Sequence, residues 1–390
     1  MNSELRNIIE QLRAFDWRFV DYNPSLERFS INNVHWYPAP FVPHIPSILI
    51  KSLSKPGDIV LDPFCGTGIT GIEAARLNRR FVQLDLNPLA IEIAQAKLTA
   101  IRIVDDTFTE RIINSLNIGV VNNKDSIAPD SIQAEEAGKW FHPETLSQLL
   151  ILKNIAQNQP DEATRLVTRF LLSSILYAAS SQTKHYSYVT DNCYPNQLIE
   201  RNAVEFFLER LLLLRKAVND FRINCNMNST IPQLVSYGVT EMGDARNLSM
   251  LPRESVDIVV TSPPYIGVND YVKSQRLTYL LFPPFPSTAD SAEIGTRQKR
   301  RRKTAVTDYL CAMKMCIDEM IRITKNDGFI CIALGQSSSI KGTDIVEELV
   351  IYTSQLLGNV PVLDIVRPIV FRKIYNTGIG SERLLVFHKG

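Results

Sequence analysis

The sequence predicts an α/β protein: a mainly parallel sheet whose chain is interrupted midway by a helical insertion. Three observations carry this expectation. Short apolar runs ending in a carboxylate or hydroxyl alternate with helical segments near the start, as in parallel α/β sheets. A glycine-rich turn joins the first such run to its helix. Between about residues 105 and 234 the strand signals stop and helical periodicity takes over, before strands resume.

In chain order, residues 4–14 form a short amphipathic helix. Residues 15–46 are rich in aromatics and prolines (Trp17, Trp36, Tyr37, Phe41, Pro38, Pro40), which suits an extended strap lying over a surface. Residues 45–53 read as helix, and Lys55-Pro56-Gly57-Asp58 as a turn. Ile59–Asp62 is a buried strand, 66–71 a glycine-rich loop, 72–77 a helix, Arg80–Asp85 a second strand and 87–101 a second helix. Helices follow at 143–156, 162–181 and 195–221. Strands resume at about 235–239 and at Val256–Thr261. A helix at 305–324, a strand at 328–334 and a helix Ile345–Leu357 stopped by Gly358 extend the sheet. Runs at 365–372 and 383–388, joined by a loop with Gly378 and Gly380, close it as a hairpin. The expected division is a strap and helix over 1–54, a sheet domain built from 55–104 and 235–390, and a mostly helical insertion over 105–234.

Composition narrows the class. The 390 residues are 45% hydrophobic and 21% charged, an ordinary globular balance. Lys+Arg is 42 and Asp+Glu 41, so the formal charge is 42 − 41 = +1, which excludes a uniformly basic nucleic-acid coat but not a local basic track. No apolar run reaches the ~18 residues of a membrane helix, and the first residues lack signal-peptide character. Six scattered cysteines argue against a disulfide framework; with five histidines they show no metal-ligand spacing. A reducing cytoplasm and no metal are therefore expected.

Two segments carry chemistry. Asp62-Pro63-Phe64-Cys65-Gly66-Thr67-Gly68 leaves a strand and enters a helix, its glycines permitting tight turning and close approach to a ligand. Gly66, Gly68 and Gly71 also satisfy the G-x-G-x-x-G pattern of dinucleotide sites. A carboxylate at the strand tip, however, would repel a pyrophosphate and suits a ligand with an ammonium group, such as S-adenosylmethionine. Asp85, ending the next strand, suits ribose hydroxyls in either case. The second segment, Thr261-Ser262-Pro263-Pro264-Tyr265, runs from a buried strand into two prolines that stiffen the loop and bring no N–H donors. Hydroxyl and carbonyl acceptors beside a flat ring suit the gripping of an exocyclic amine, where catalysis is positioning and electrostatics.

Together these segments resemble the amino-methylating DNA methyltransferases, over about 55–104 and 236–390. The resemblance implies a class I S-adenosylmethionine-dependent fold, Rossmann-like, with a mainly parallel seven-stranded sheet and a C-terminal hairpin. It implies that Asp62, Phe64, Gly66 and Gly68 surround the methionine part of S-adenosylmethionine, that Asp85 takes the ribose, and that Asp244, in the turn Gly243-Asp244-Ala245-Arg246, lies near the adenine amino group. Phe41, in Pro40-Phe41-Val42-Pro43-His44, matches the accessory segment that packs on the cofactor. Ser262 and the Pro263 carbonyl would hold the target amine ahead of Pro264, with Tyr265 stacking on a flipped base. Serine at position 262 is commoner in cytosine-N4 than in adenine-N6 enzymes. The insertion stands where relatives carry target-recognition elements, and the setting implied is restriction-modification or DNA defence with a cognate endonuclease. Arg297, Lys299, Arg300, Arg301, Arg302 and Lys303 form the densest basic run, placed to neutralise DNA phosphates. No cysteine follows a proline, which excludes C5 chemistry of the usual kind. An RNA guanine-N2 methyltransferase and a catalytically inactive DNA-binding subunit are the open alternatives.

Overall fold

Seven strands hydrogen-bond into one sheet in a computed structural model that describes residues 3–19, 30–38, 40–122, 132–225, 238–335, 343–368 and 381–390. In chain order they are β1 (Ile59–Asp62), β2 (Arg80–Asp85), β3 (Gly238–Met242), β4 (Val256–Thr261), β5 (Thr324–Gly335), β6 (Leu363–Pro368) and β7 (Ser381–His388). Their order across the sheet is β3-β2-β1-β4-β5-β7-β6. β1 to β5 run parallel, and β7 enters antiparallel between β5 and β6. This is the class I methyltransferase order with its C-terminal hairpin. The chain winds outward from β1 to one side, then returns to β4 on the other. The carboxyl ends of β1 and β4 therefore flank a topological switch point, where open α/β sheets bind ligands.

Alternate strand residues bury on opposite faces, as the two-residue period requires. Val60, Val260, Cys331 and Val386 enter one apolar cluster; Leu61, Val259, Ile332 and Leu385 enter the other. Burial on both faces explains why these strands read as unbroken apolar runs. The second cluster packs beneath Ala305–Ile323 and Ile345–Leu357. The first is larger and continuous: Ile93 and Ala96 of Pro88–Ile103 share it with Leu149, Phe170, Phe207 and Leu211 of the insertion and with Ile9 and Leu12 of the N-terminal helix Ser3–Ala14.

Helix starts are set by side-chain caps. Asn87 accepts from the Leu89 amide ahead of Pro88, and Asp344 from the Glu347 amide. Gly358, at φ 68°, closes Ile345–Leu357 in the left-handed region. Asn202 caps Ala203–Asn224, so this helix begins eight residues later than the periodicity from 195 suggests. The first helix after the glycine turn, Ile69–Arg76, begins three residues earlier than expected and takes in Gly71. Of the strand expected at 235–239, residues 235–237 lie outside the described residues and β3 runs on to Met242, while β5 extends the expected 328–334 at both ends. Gly378, Gly380, residues 369–372 and much of the strap (20–29) lie outside the described residues. Among the described residues, no helix is long and apolar enough to cross a membrane, and no cluster of three metal-ligating side chains occurs.

Candidate functional site

A cavity of about 880 Å³, its open mouth included, lies at the carboxyl ends of β1, β2 and β4. Its wall takes Asp62 to Thr67 from the glycine turn, Asp85 to Asn87 from the end of β2, and Ser262 and Pro264 from the end of β4. Ile69 and Thr70 of the following helix, Tyr37, Pro38, Pro40 and Phe41 of the strap, Gly243 and Ala245 after β3, and Tyr271, Glu293 and Ile294 complete it.

Asp62 ends β1 and is 3% exposed. Thr261 Oγ1 and the Phe64 amide donate to its Oδ1 at 2.6 and 3.1 Å, and Thr70 Oγ1 to its Oδ2 at 2.6 Å. The carboxyl thus stitches β1 to β4 and to the glycine helix. Burial outweighs these hydrogen bonds and pushes its pKa up to about 6. Asp85 accepts from the Gly66 and Asn87 amides at 2.9 and 2.8 Å, and burial likewise pushes it up to about 6.

The glycines divide their work. Gly66, at φ 50°, lines the cavity. Gly68, at φ 78°, packs behind it: a Cβ there would meet the Ala94 Cβ at 2.7 Å. At Gly71 a Cβ would meet Gln83 Oε1 at 2.2 Å. These two glycines let the helix approach its neighbours closely and do not face the cavity. Under the turn lies Lys97, fully buried, its Nζ donating to the Thr67 carbonyl at 3.0 Å; burial lowers its pKa to about 7.

On the β4 side, Ser262 and Pro264 face the cavity, while Pro263 is buried between them. Tyr309 Oη donates to the Pro264 carbonyl at 3.0 Å, fixing the loop. Tyr265, expected to stack on a base, is held by the closing hairpin in this structure. It is 6% exposed and off the cavity wall, its ring packed where a Cβ on Gly335 would sit 2.7 Å away. Its hydroxyl donates to Glu382 Oε2 at 2.8 Å, and Arg367 Nη1 donates to Glu382 Oε1 at 2.5 Å.

Asp244 also sits off the wall, between Gly243 and Ala245 which line it. It accepts Arg246 Nε and Nη2 at 2.8 and 2.6 Å; burial pushes its pKa up, and Arg246 more than reverses this. In the basic run, Arg297 pairs with Asp191 of the insertion and with Asp270 at 3.1 Å, and Lys299 Nζ caps the Ser291 and Glu293 carbonyls at 2.7 and 2.9 Å. Arg300, Arg301, Arg302 and Lys303 are exposed.

Four positions escaped the sequence reading. Tyr37 forms part of the wall, its hydroxyl accepting Asn87 Nδ2 at 3.1 Å while Asn87 Oδ1 accepts Tyr279 Oη at 2.9 Å. Lys97, Asn87 and Glu293 lie outside any motif; only the aromatic density of the strap signalled Tyr37.

Comparison with known proteins finds methyltransferases. The N6_N4_Mtase family, described as DNA methylase, matches residues 7–96, a stretch that spans part of the strap, the glycine turn and Asp85. The Type II methyltransferase M.MjaII of Methanocaldococcus jannaschii is 20% identical over 80% of this chain and 73% of its own length. M.BsoBI of Geobacillus stearothermophilus is 23% identical over 79% of this chain, which spans only 61% of that relative. By these matches the chain is similar to Type II DNA methyltransferases. A shorter stretch, 13% of the chain, is 44% identical to the Type II methyltransferase M2.DpnII of Streptococcus pneumoniae. Among solved structures, an rRNA methyltransferase, aviRa from Streptomyces viridochromogenes, aligns over 96% of this chain and 97% of its own, at 10% identity and TM-score 0.37.

The fold and the family match imply S-adenosylmethionine as the ligand, and the cavity fits it. Two buried carboxyls with raised proton affinity, Asp62 and Asp85, mark a site that gains from a cationic ligand. Phe41 and Phe64 supply apolar surface beside them, and Gly66 lets the backbone come close.

Proposed function

We propose that this protein is a DNA methyltransferase that modifies the exocyclic amino group of a flipped base, cytosine N4 in preference to adenine N6. The observation that carries the reading is that Ser262 and Pro264 open into the same cavity as Asp62 and Asp85. Amine-gripping acceptors and a cation-favouring pocket then share one chamber. Bound S-adenosylmethionine supplies an electrophilic methyl group. Asp62, Phe64, Gly66 and Phe41 hold its methionine end, Asp85 the ribose, and the Gly243–Ala245 turn the adenine, with Asp244 bracing that turn through Arg246. Ser262 Oγ orients the amine, and Pro263 and Pro264 keep the loop rigid. A duplex base reaches this chamber only by leaving the stack. Serine at position 262 supports the cytosine assignment, and the Type II names of the relatives support a restriction-modification setting with a cognate endonuclease.

The test is nucleoside analysis after incubation with labelled S-adenosylmethionine and mixed-sequence DNA. Label in N4-methylcytosine is expected. Label in N6-methyladenine overturns the choice of base, and label in tRNA with none in DNA overturns the substrate.

DNA phosphates are assigned to Arg300, Arg301, Arg302 and Lys303; Arg297 and Lys299 hold the turn in shape. Alanine at those four positions is expected to weaken DNA binding equally for all sequences. It is also expected to flatten the plot of log affinity against log salt by up to about 3–4, since each phosphate contact contributes roughly 0.9. Fluorescence anisotropy from low to moderate salt checks this; an unchanged slope rules the run out as a phosphate track. The insertion, 105–234, is assigned to target recognition.

A further inference from the structure

Among the described residues, one residue of the cavity wall carries a buried side-chain oxygen without a hydrogen-bond partner. Glu293 is 8% exposed and lines the wall; the Val272 amide donates to its Oε1 at 2.8 Å, while Oε2 is buried with no hydrogen-bond partner. A buried orphan carboxylate oxygen is costly in a folded protein, and the place of its residue on a ligand cavity gives that cost a function. Asp62 and Asp85, by contrast, have both carboxylate oxygens engaged by the protein.

Glu293 is also tied to the stretch of chain that holds the amine-gripping loop. Gly267, two residues past Tyr265, donates its amide to the Gly295 carbonyl at 2.7 Å, and Lys299 Nζ donates to the Glu293 carbonyl at 2.9 Å. Chemistry then supplies the role. An amine that gains a methyl group is left cationic with one hydrogen too many. The Ser262 hydroxyl orients an amine but cannot hold its proton at neutral pH; a carboxylate can.

We propose that Glu293 takes the proton released by the target amine, through Oε2. This rests on the amino-methyltransferase reading above. The nitrogen lone pair forms the new N–C bond as the methyl leaves sulfur, whose bonding pair stays behind. One N–H bond then breaks, its electrons returning to nitrogen and its proton passing to Oε2 and later to solvent. Neutral methylamino base, S-adenosylhomocysteine and protonated Glu293 result.

The surroundings suit this task. Burial, with Asp290, Asp270 and Asp85, pushes Glu293 up to about 8 in the free protein. Tyr37, Tyr271 and Tyr279 lie on the same side, Lys299 stands at its backbone, Lys273 pairs with Asp290, and Arg297 pairs with Asp270. A cationic donor entering the cavity favours the ionised form, so binding near pH 7.5 should expel a proton.

Glu293→Gln tests the assignment by two readouts. Calorimetric titration with S-adenosylmethionine in buffers of different ionisation enthalpy counts the protons released. The variant should bind within about threefold of wild type, which shows it folded, and release fewer protons at pH 7.5. Single-turnover methylation of DNA at saturating donor should then fall about 100-fold or more, the usual scale for losing a general base, and lose its acid limb. Glu293→Asp should recover part of the rate together with that limb. An unchanged rate and pH profile in the Gln variant overturn the assignment while leaving the function intact, as does a defect confined to donor affinity. Wild-type protein that methylates no DNA overturns both.

Discussion

Asp62→Asn lowers affinity for S-adenosylmethionine by about 10- to 100-fold, the range expected when a hydrogen bond loses its charged partner. Asparagine keeps one acceptor oxygen, so part of the bridge from Thr70 and Thr261 survives and the fold is retained. What goes is the negative charge, in a site where burial magnifies it. The same charge makes binding depend on pH in a definite direction. Burial holds Asp62 and Asp85 near 6 in the folded protein, above the ordinary aspartate value of 3.8. Each therefore stabilises the free fold fully in acid, and that contribution is lost as pH rises through about 6. A bound cation offsets the loss. Thermal stabilisation by a fixed concentration of S-adenosylmethionine should accordingly grow from pH 5 to pH 7.5 in wild type, and grow less in the variant. Differential scanning fluorimetry across that range checks both; equal stabilisation at both ends would remove Asp62 from the donor site.

Glu382→Ala is expected to have the largest effect on stability, about 3–5 kcal/mol, because it strands a buried cation. Arg367 and Glu382 have side chains 3% and 9% exposed, and Arg367 also lies 5.6 Å over the Phe19 ring. Tyr265 loses its acceptor in the same step, and with it the loop from Ser262 to Tyr265 loses its anchor to the closing hairpin. Methyl transfer should therefore fall further than donor binding. Glu382→Gln retains an acceptor for Tyr265 and should recover transfer more fully than stability. Urea unfolding beside single-turnover kinetics separates the two losses. A Glu382→Ala protein with wild-type stability would mean that the Arg367 pair contributes nothing net.

The sheet was legible because parallel strands buried on both faces leave apolar runs, and β1, β2 and β4 each end in a residue of distinct chemistry: Asp62, Asp85, Thr261. The chamber was legible wherever its residues follow those ends. What stayed hidden depends on partners far along the chain. Tyr265 reads as a free stacking face until Glu382, 117 residues away, is seen to accept its hydroxyl. Arg297 reads as a phosphate contact until Asp191 and Asp270 are found around it. Gly68 and Gly71 read as ligand turns, though the tight packing of Ala94 and Gln83 dictates them. Glu293 sits in a polar stretch without periodicity, and only the cavity gives it meaning.

The continuous apolar cluster has a further consequence for how specificity can change. Leu149, Phe170, Phe207 and Leu211 of the insertion cover Ile93 and Ala96 and share their cluster with Val60 and Val260 of the sheet. On the proposed function the segment is thus roof as much as reader. Exchanging it wholesale would strip the shelter from the face on which β1 and β4 rest. Under that assignment new sequence preferences would come from its solvent-facing residues, while its inner face is committed to covering β1 and β4.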